Sequence, residues 1–117
     1  MVEGNPILDR LFYALSAPPR RVILAQLLTG EHTVGELAAP LGMSLPAVTK
    51  HLKVLEECGL MERRVVGRSH RCRLKAEPLS RAAEWLEHYR MFWEGPFTDQ
   101  QGYLEALCER VTVESAG

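Results

Sequence analysis

The chain is poor in the features that disulfide scaffolds, membrane segments and enzymes depend on. Its 117 residues include three cysteines, Cys58, Cys72 and Cys108, and these form no CxxC pair. An odd, unclustered set excludes a disulfide framework and fits a reducing compartment. No apolar run approaches the ~18 residues of a membrane span. The first twenty residues lack the basic start and apolar stretch of a secretory signal, so a cytoplasmic protein is expected. There is no glycine-rich phosphate loop and no nucleophile motif, and the few carboxylates have no paired setting. An enzyme is therefore not expected. Net charge is also scarce, at -1, which at first argues against a nucleic-acid partner.

What charge there is lies unevenly. Residues 50–75 carry eight Lys or Arg against three Glu, an excess of five positive charges. Residues 76–117 carry three Arg against eight acids, an excess of five negative ones, and residues 1–49 are close to neutral. A basic middle can contact phosphates while the acidic remainder stays off the duplex. With 46% hydrophobic residues the chain is globular rather than disordered. Its length supports one domain, expected over residues 5–112 with residues 1–4 and 113–117 as loose tails.

The stretch TVGELAAPLGMSLPAVTKHLKVLEECGL, Thr33 to Leu60, carries the clearest pattern. Val34, Leu37, Ala38 and Leu41 form one apolar stripe, and Leu45, Val48, Leu52 and Leu55 form another, at the steps of core-facing helices. Thr33 and Glu36 make a capping box, and Ser44 caps the second helix. Pro46 is tolerated in the first turn of that helix, and Gly59 stands where a left-handed C-cap belongs. Two amphipathic helices joined by the turn Leu41-Gly42-Met43 make a helix-turn-helix.

The flanking segments fit around it. Pro6 opens a helix with Ile7, Leu8, Leu11, Phe12 and Leu15 on one face, and Ser16-Ala17-Pro18-Pro19 breaks it. A second helix, from about Pro19 to Leu28, turns Val22, Ile23, Leu27 and Leu28 inward. Downstream, Met61–Val66 and His70–Leu74 read as an antiparallel hairpin bent at Gly67-Arg68-Ser69. Cys72 and Leu74 face inward there, and Arg71 and Arg73 outward. The fold class is mainly α with a small antiparallel β-hairpin, a winged helix-turn-helix. Beyond Pro78, Leu79, Ala82, Ala83, Leu86, Tyr89, Phe92 and Trp93 line a broad apolar stripe. Gly95-Pro96 bends the chain, and Tyr103, Leu104, Leu107 and Val111 continue an apolar face. This is more apolar surface than one small core uses. It either covers its own subunit or forms a homodimer interface. We expect the interface, built from Leu8, Leu11, Phe12, Leu86, Tyr89, Phe92, Trp93, Tyr103 and Leu107.

Off the core stripe of the recognition helix lie Ser44, Pro46, Ala47, Thr49, Lys50 and Lys53. Ser44 and Thr49 suit bases or phosphates, Pro46 or Ala47 suits a thymine methyl, and the lysines suit the backbone. His51 adjoins the core position Leu52 and either touches DNA or is a hydrogen-bonded boundary residue. Arg63, Arg64, Arg68, His70, Arg71 and Arg73 decorate the wing, with Arg68 at the tip for a minor groove or a phosphate. Double-stranded DNA is the expected partner, ahead of an acidic protein docking on the same basic patch. Cys58 and Cys72 read as small buried side chains, with a redox-responsive regulator as the alternative.

The segments LFYALSAPPRRVILAQLL and TVGELAAPLGMSLPAVTKHLKVLEECGLMERRVVGRSHRCRL resemble the winged-helix bacterial repressors of the arsenical-resistance (ArsR) type, over residues 7–75. The resemblance implies a homodimeric cytoplasmic repressor on a near-palindromic operator. It implies DNA-facing roles for Ser44, Pro46, Ala47, Thr49 and Lys50, a wing carrying Arg68 and Arg71, and dimerisation through the terminal helices. Leu45 departs from the pattern: many relatives carry a polar residue there, often glutamine, whereas its periodicity places it near the core. Metal-sensing members have a cysteine pair in the first helix of the motif, where this chain reads TVGELAAPLG without one. Others bind zinc through Asp, His and Glu of the C-terminal helices, where Glu84, Glu87 and His88 read here as a solvated face. The expectation is a non-metal-sensing member with no cofactor. No residue pattern identifies a small-molecule inducer.

Overall fold

A computed structural model describes residues 4–94. They fall into two compact units that divide after Ala82. Of the expected loose tails, only Gly4 lies among the described residues, and Tyr103, Leu107 and Cys108 lie outside them.

The first unit begins with helices α1 (Pro6–Leu15) and α2 (Pro18–Leu27). Asn5 caps α1 by accepting from the Leu8 amide at 3.1 Å, and a proline opens each helix, where its missing N–H goes unused. Strand β1 (His32–Thr33) leads into α3 (Val34–Ala38), and a single 3-10 turn (Ala39–Leu41) follows. The capping box is formed as expected: the Glu36 amide donates to Thr33 Oγ1 at 3.2 Å, and the Thr33 amide donates to Glu36 Oε1 at 3.0 Å. That amide is the main reason the Glu36 carboxyl titrates below its ordinary range. Gly42 then takes the left-handed conformation, φ 60°, that closes the turn of the motif. Helix α4 (Leu45–Glu57) starts at the Ser44 cap and stops before Gly59, at φ 79°.

Strands β2 (Met61–Val66) and β3 (Ser69–Leu74) pair antiparallel, with Val66 opposite Ser69 and Gly67-Arg68 as a two-residue connection. β1 adds to the other edge of β3, with His32 opposite Cys72 and Thr33 opposite Arg71, so the sheet order is β1-β3-β2. The wing is thus a three-stranded sheet. The third strand was not expected, because two residues give no periodic signal and the pairing partner is distant in sequence.

One core holds the unit together: Leu11, Ala14, Ile23, Leu27, Leu37, Val48, Leu52, Leu55, Leu60, Met61 and Cys72, with Ala82 at the start of α5 (Leu79–Glu87). Three expectations need correction. Leu11 is sealed in its own subunit at 1% exposure, so it is a core residue and not an interface residue. On α2 the inward stripe runs Arg20, Ile23, Leu24, Leu27, which turns Val22 and Leu28 out to 41% and 75% exposure. Leu45 is also outside, at 57% exposure, because α4 begins beyond the edge of the core.

The second unit contains α6 (Arg90–Trp93). Helix α5 ends at Glu87, so the apolar stripe from Leu79 to Trp93 does not lie on one helix but is interrupted at His88 and Tyr89. Leu86, Tyr89, Phe92 and Trp93 are exposed at 40%, 46%, 68% and 37%, and Trp85 stacks at a tilt on Tyr89, 5.0 Å between centroids. Arg90 is held between Glu87 and Glu94, which raises its pKa, the Glu94 bond contributing most.

Candidate nucleic-acid interface

The outward side of α4 is set by its inward side. Val48, Leu52 and Leu55 are fully buried, so Leu45, Pro46, Thr49, Lys50 and Lys53 point to solvent and Ala47 is half-buried on one flank. Ser44 is exposed, and its hydroxyl accepts from the Ala47 amide at 3.4 Å. Lys50 and Lys53 have no ion-pair partner among the described residues.

The wing is less free than five arginines in eleven residues suggested. Arg73 pairs with Glu62, its cross-strand neighbour, at 2.7 Å. Arg64 pairs with Glu31 at 3.0 Å and stays two-thirds exposed. These groups and Arg71 line an open groove of ≈ 220 Å³ at the base of the hairpin. Arg63 corrects an expectation. Strand alternation places it on the Met61 side, where it meets Glu56 of α4 at 2.7 Å with only 22% of its side chain exposed and its Nε buried without an acceptor. It joins the wing to α4 and does not present a cation to solvent. Arg68 at the tip and Arg71 remain exposed, with no ion-pair partner among the described residues. Val65 and Val66 leave an apolar tip beside Arg68, at 62% and 46% exposure.

His51 is partly buried beside Leu52 and is hydrogen-bonded within the protein, as the boundary alternative expects. Its Nδ1 accepts from Arg20 Nη1 at 3.0 Å, which makes the ring neutral. Arg20 itself was missed. It is buried, at 5% exposure, and caps the end of α1: Nε donates to the Ala14 carbonyl at 2.8 Å and Nη2 to the Tyr13 carbonyl at 2.9 Å. Its guanidinium also lies 4.8 Å from the Tyr13 ring centroid. The signal that finds it is the α2 stripe traced back from Leu27 in steps of three and four.

Burial, and then the Arg20 charge, lower the His51 pKa from its ordinary 6.5. The unfolded chain therefore takes up this proton first. The contribution to stability is complete above the ordinary imidazole range and is lost as pH falls through it toward the lowered folded value. Urea unfolding between about pH 7 and pH 5 is expected to show that loss, and His51→Gln is expected to flatten this part of the profile. An unchanged slope in the variant refutes the assignment.

Cys72 is fully buried and Cys58 half-buried, its thiol donating to the Leu55 carbonyl at 3.4 Å. Burial pushes both thiols above their ordinary range, which is the reverse of what a reactive cysteine needs. The redox alternative finds no activated thiol in this pair. Among the described residues, no group of three or more His, Cys, Asp or Glu is placed to hold a metal, and no helix is long and apolar enough to cross a membrane.

Known proteins share this arrangement. Residues 17–63 match the family described as "Bacterial regulatory protein, arsR family". The HTH-type transcriptional regulator CmtR of Mycobacterium tuberculosis is 43% identical over 110 residues, covering 94% of this chain and 91% of that one. The crystal structure of an ArsR family transcriptional regulator superposes with a TM-score of 0.72 at 35% identity, covering 83% of this chain and all of the other. A homodimeric winged helix-turn-helix DNA-binding domain from Mycobacterium bovis superposes with a TM-score of 0.59 at 25% identity, covering 78% of this chain and 94% of that one. With a relative of this identity and coverage, and the family model lying over the helix-turn-helix, the chain belongs to the ArsR family of DNA-binding transcriptional regulators.

Proposed function

We propose that two copies of this chain bind a near-palindromic operator and repress transcription by occupying it. In each copy, α4 enters the major groove behind Ser44, Pro46, Thr49 and Lys50, with Ala47 on the flank. Lys53 and Arg71 meet phosphates, and Arg68 reaches the adjoining minor groove from the wing tip. Arg64 takes a peripheral role, because Glu31 already holds it. One observation supports this most: Lys50, Lys53, Arg68 and Arg71 are unpaired among the described residues and lie on two elements that the Glu56–Arg63 ion pair joins. Each copy contributes Leu8 and Phe12 from α1 and, separately, Leu86 from α5, Tyr89 after it, and Phe92 and Trp93 from α6 to the contact between copies. Phe12 is 37% exposed and Leu8 is only partly buried. Tyr103 and Leu107, outside the described residues, are added to the interface on the sequence pattern alone. The homodimeric Mycobacterium bovis domain supports the two-fold arrangement. A cytoplasmic protein goes with this reading, since that is where a bacterial operator lies.

Selection of bound duplexes from a random pool, with purified protein at physiological salt, tests the proposal. The expected product is an inverted repeat with half-sites about one helical turn, or a multiple, apart. Recovery of no preferred sequence overturns it. Operator binding in this proposal is independent of metal, on the ground of the cysteine-free TVGELAAPLG segment. Titration of the protein–operator complex with Zn(II) and Cd(II) is expected to leave it intact, and release by either metal ends that reading.

A further inference from the structure

We propose that Leu45 reads DNA sequence, and that the half-site is recognised through thymine C5-methyl groups. The inference deepens the DNA-binding reading above and rests on it. Leu45 opens α4 with 57% of its surface in solvent, while Val48 and Leu52, on the next turns, are fully buried. It therefore stands at the N-terminal end of the recognition helix, the part that meets base edges.

The residues beside it narrow the chemistry. The exposed side chains that follow are Pro46, Thr49, Lys50 and Lys53. This face has no arginine, asparagine or glutamine, and no carboxylate precedes Glu56. The forked contacts of arginine with guanine, and of asparagine or glutamine with adenine, are thus unavailable here. Lys50 and the hydroxyls of Thr49 and Ser44 are the polar groups in reach, and the Ser44 hydroxyl already accepts from the Ala47 amide. What the helix end offers instead is carbon: the Leu45 methyls, the Pro46 ring and the Thr49 methyl. The carbon group that a base pair projects into the major groove is the thymine methyl. Leu45 and Thr49 are one turn apart on the same side of α4. That side also carries Glu56, which meets the wing at Arg63. Their methyls lie in a row that suits thymines on neighbouring base pairs.

The test uses the duplex selected by the full-length protein. Each thymine is replaced singly by deoxyuridine, which keeps every hydrogen-bonding edge and removes only the methyl. Affinity is expected to fall about fourfold at one position per half-site, the value of one buried methyl-sized group, and about fifteenfold when both half-sites are changed. Leu45→Ala is a surface change. It is expected to weaken binding to the thymine duplex by a similar factor and to bind the thymine and uracil duplexes equally. A loss of helix stability alone would lower both affinities together and leave their ratio intact. Tight binding with no uracil-sensitive position overturns the inference while leaving the DNA-binding reading standing. So does a uracil effect that persists undiminished in Leu45→Ala. Failure to bind any duplex overturns both.

Discussion

Arg20→Ala is expected to cost about 3–4 kcal/mol of folding stability, because two helix-end carbonyls lose a charged donor inside the protein. The guanidinium satisfies the Tyr13 and Ala14 carbonyls of α1 and reaches His51 of α4. A single side chain thus ties three helices together. Helix α1 has no basic residue in its last turn, so its C-terminal partial negative charge is answered from α2, by Arg20 and by Arg21, which donates to the Leu15 carbonyl at 2.7 Å. Arg20→Lys keeps the charge but lacks the fork, and should recover less than half of the loss. Urea unfolding measures both. A loss below about 1 kcal/mol for the alanine variant, within the range of an ordinary surface change, would falsify the capping role.

Alanine at both Lys53 and Arg71 is expected to abolish most of the operator affinity. A dimer then lacks four cations at the phosphates, so the slope of log affinity against log salt should become shallower by about 3–4. At 0.15 M salt this amounts to a loss on the order of a thousandfold. The contrasting variant is Arg73→Ala. Glu62 already engages that guanidinium, and removing it is expected to change the slope by less than about one unit. The comparison separates available from committed charge. If both variants shift the slope alike, the ion pairs of the wing do not restrain its arginines on DNA.

Most of the fold is legible in the sequence, because its boundaries are local events. Thr33 with Glu36, Ser44, Gly42 and Gly59 each fix a helix end through their own immediate neighbours, and each stands where the pattern puts it. Misreadings occur where a partner is distant in sequence or where the core ends. Periodicity sets the direction of Leu45 but cannot tell that the core along α4 begins only one turn after it, at Val48. His32–Thr33 is a strand only because β3 lies beside it. Arg20 reads as a solvated charge until the stripe Arg20, Ile23, Leu24, Leu27 is followed to its start. Arg63 was within reach of the sequence, since alternation already puts it on the buried side with Met61. Its charge type outweighed its position in the reading. Leu11 shows the converse. Its helix carries both core and surface apolar residues, and the one-dimensional pattern does not separate the two.

The wing glutamates bear on how such a regulator finds its target. Glu31, Glu56 and Glu62 hold three of the five hairpin arginines before any nucleic acid arrives. Random chromosomal sequence, which attracts proteins by charge alone, is offered fewer mobile cations than the arginine count of the hairpin implies. Less of the molecule is then sequestered on the vast excess of unrelated sites, and discrimination depends more on the groove-reading helix than on bulk attraction.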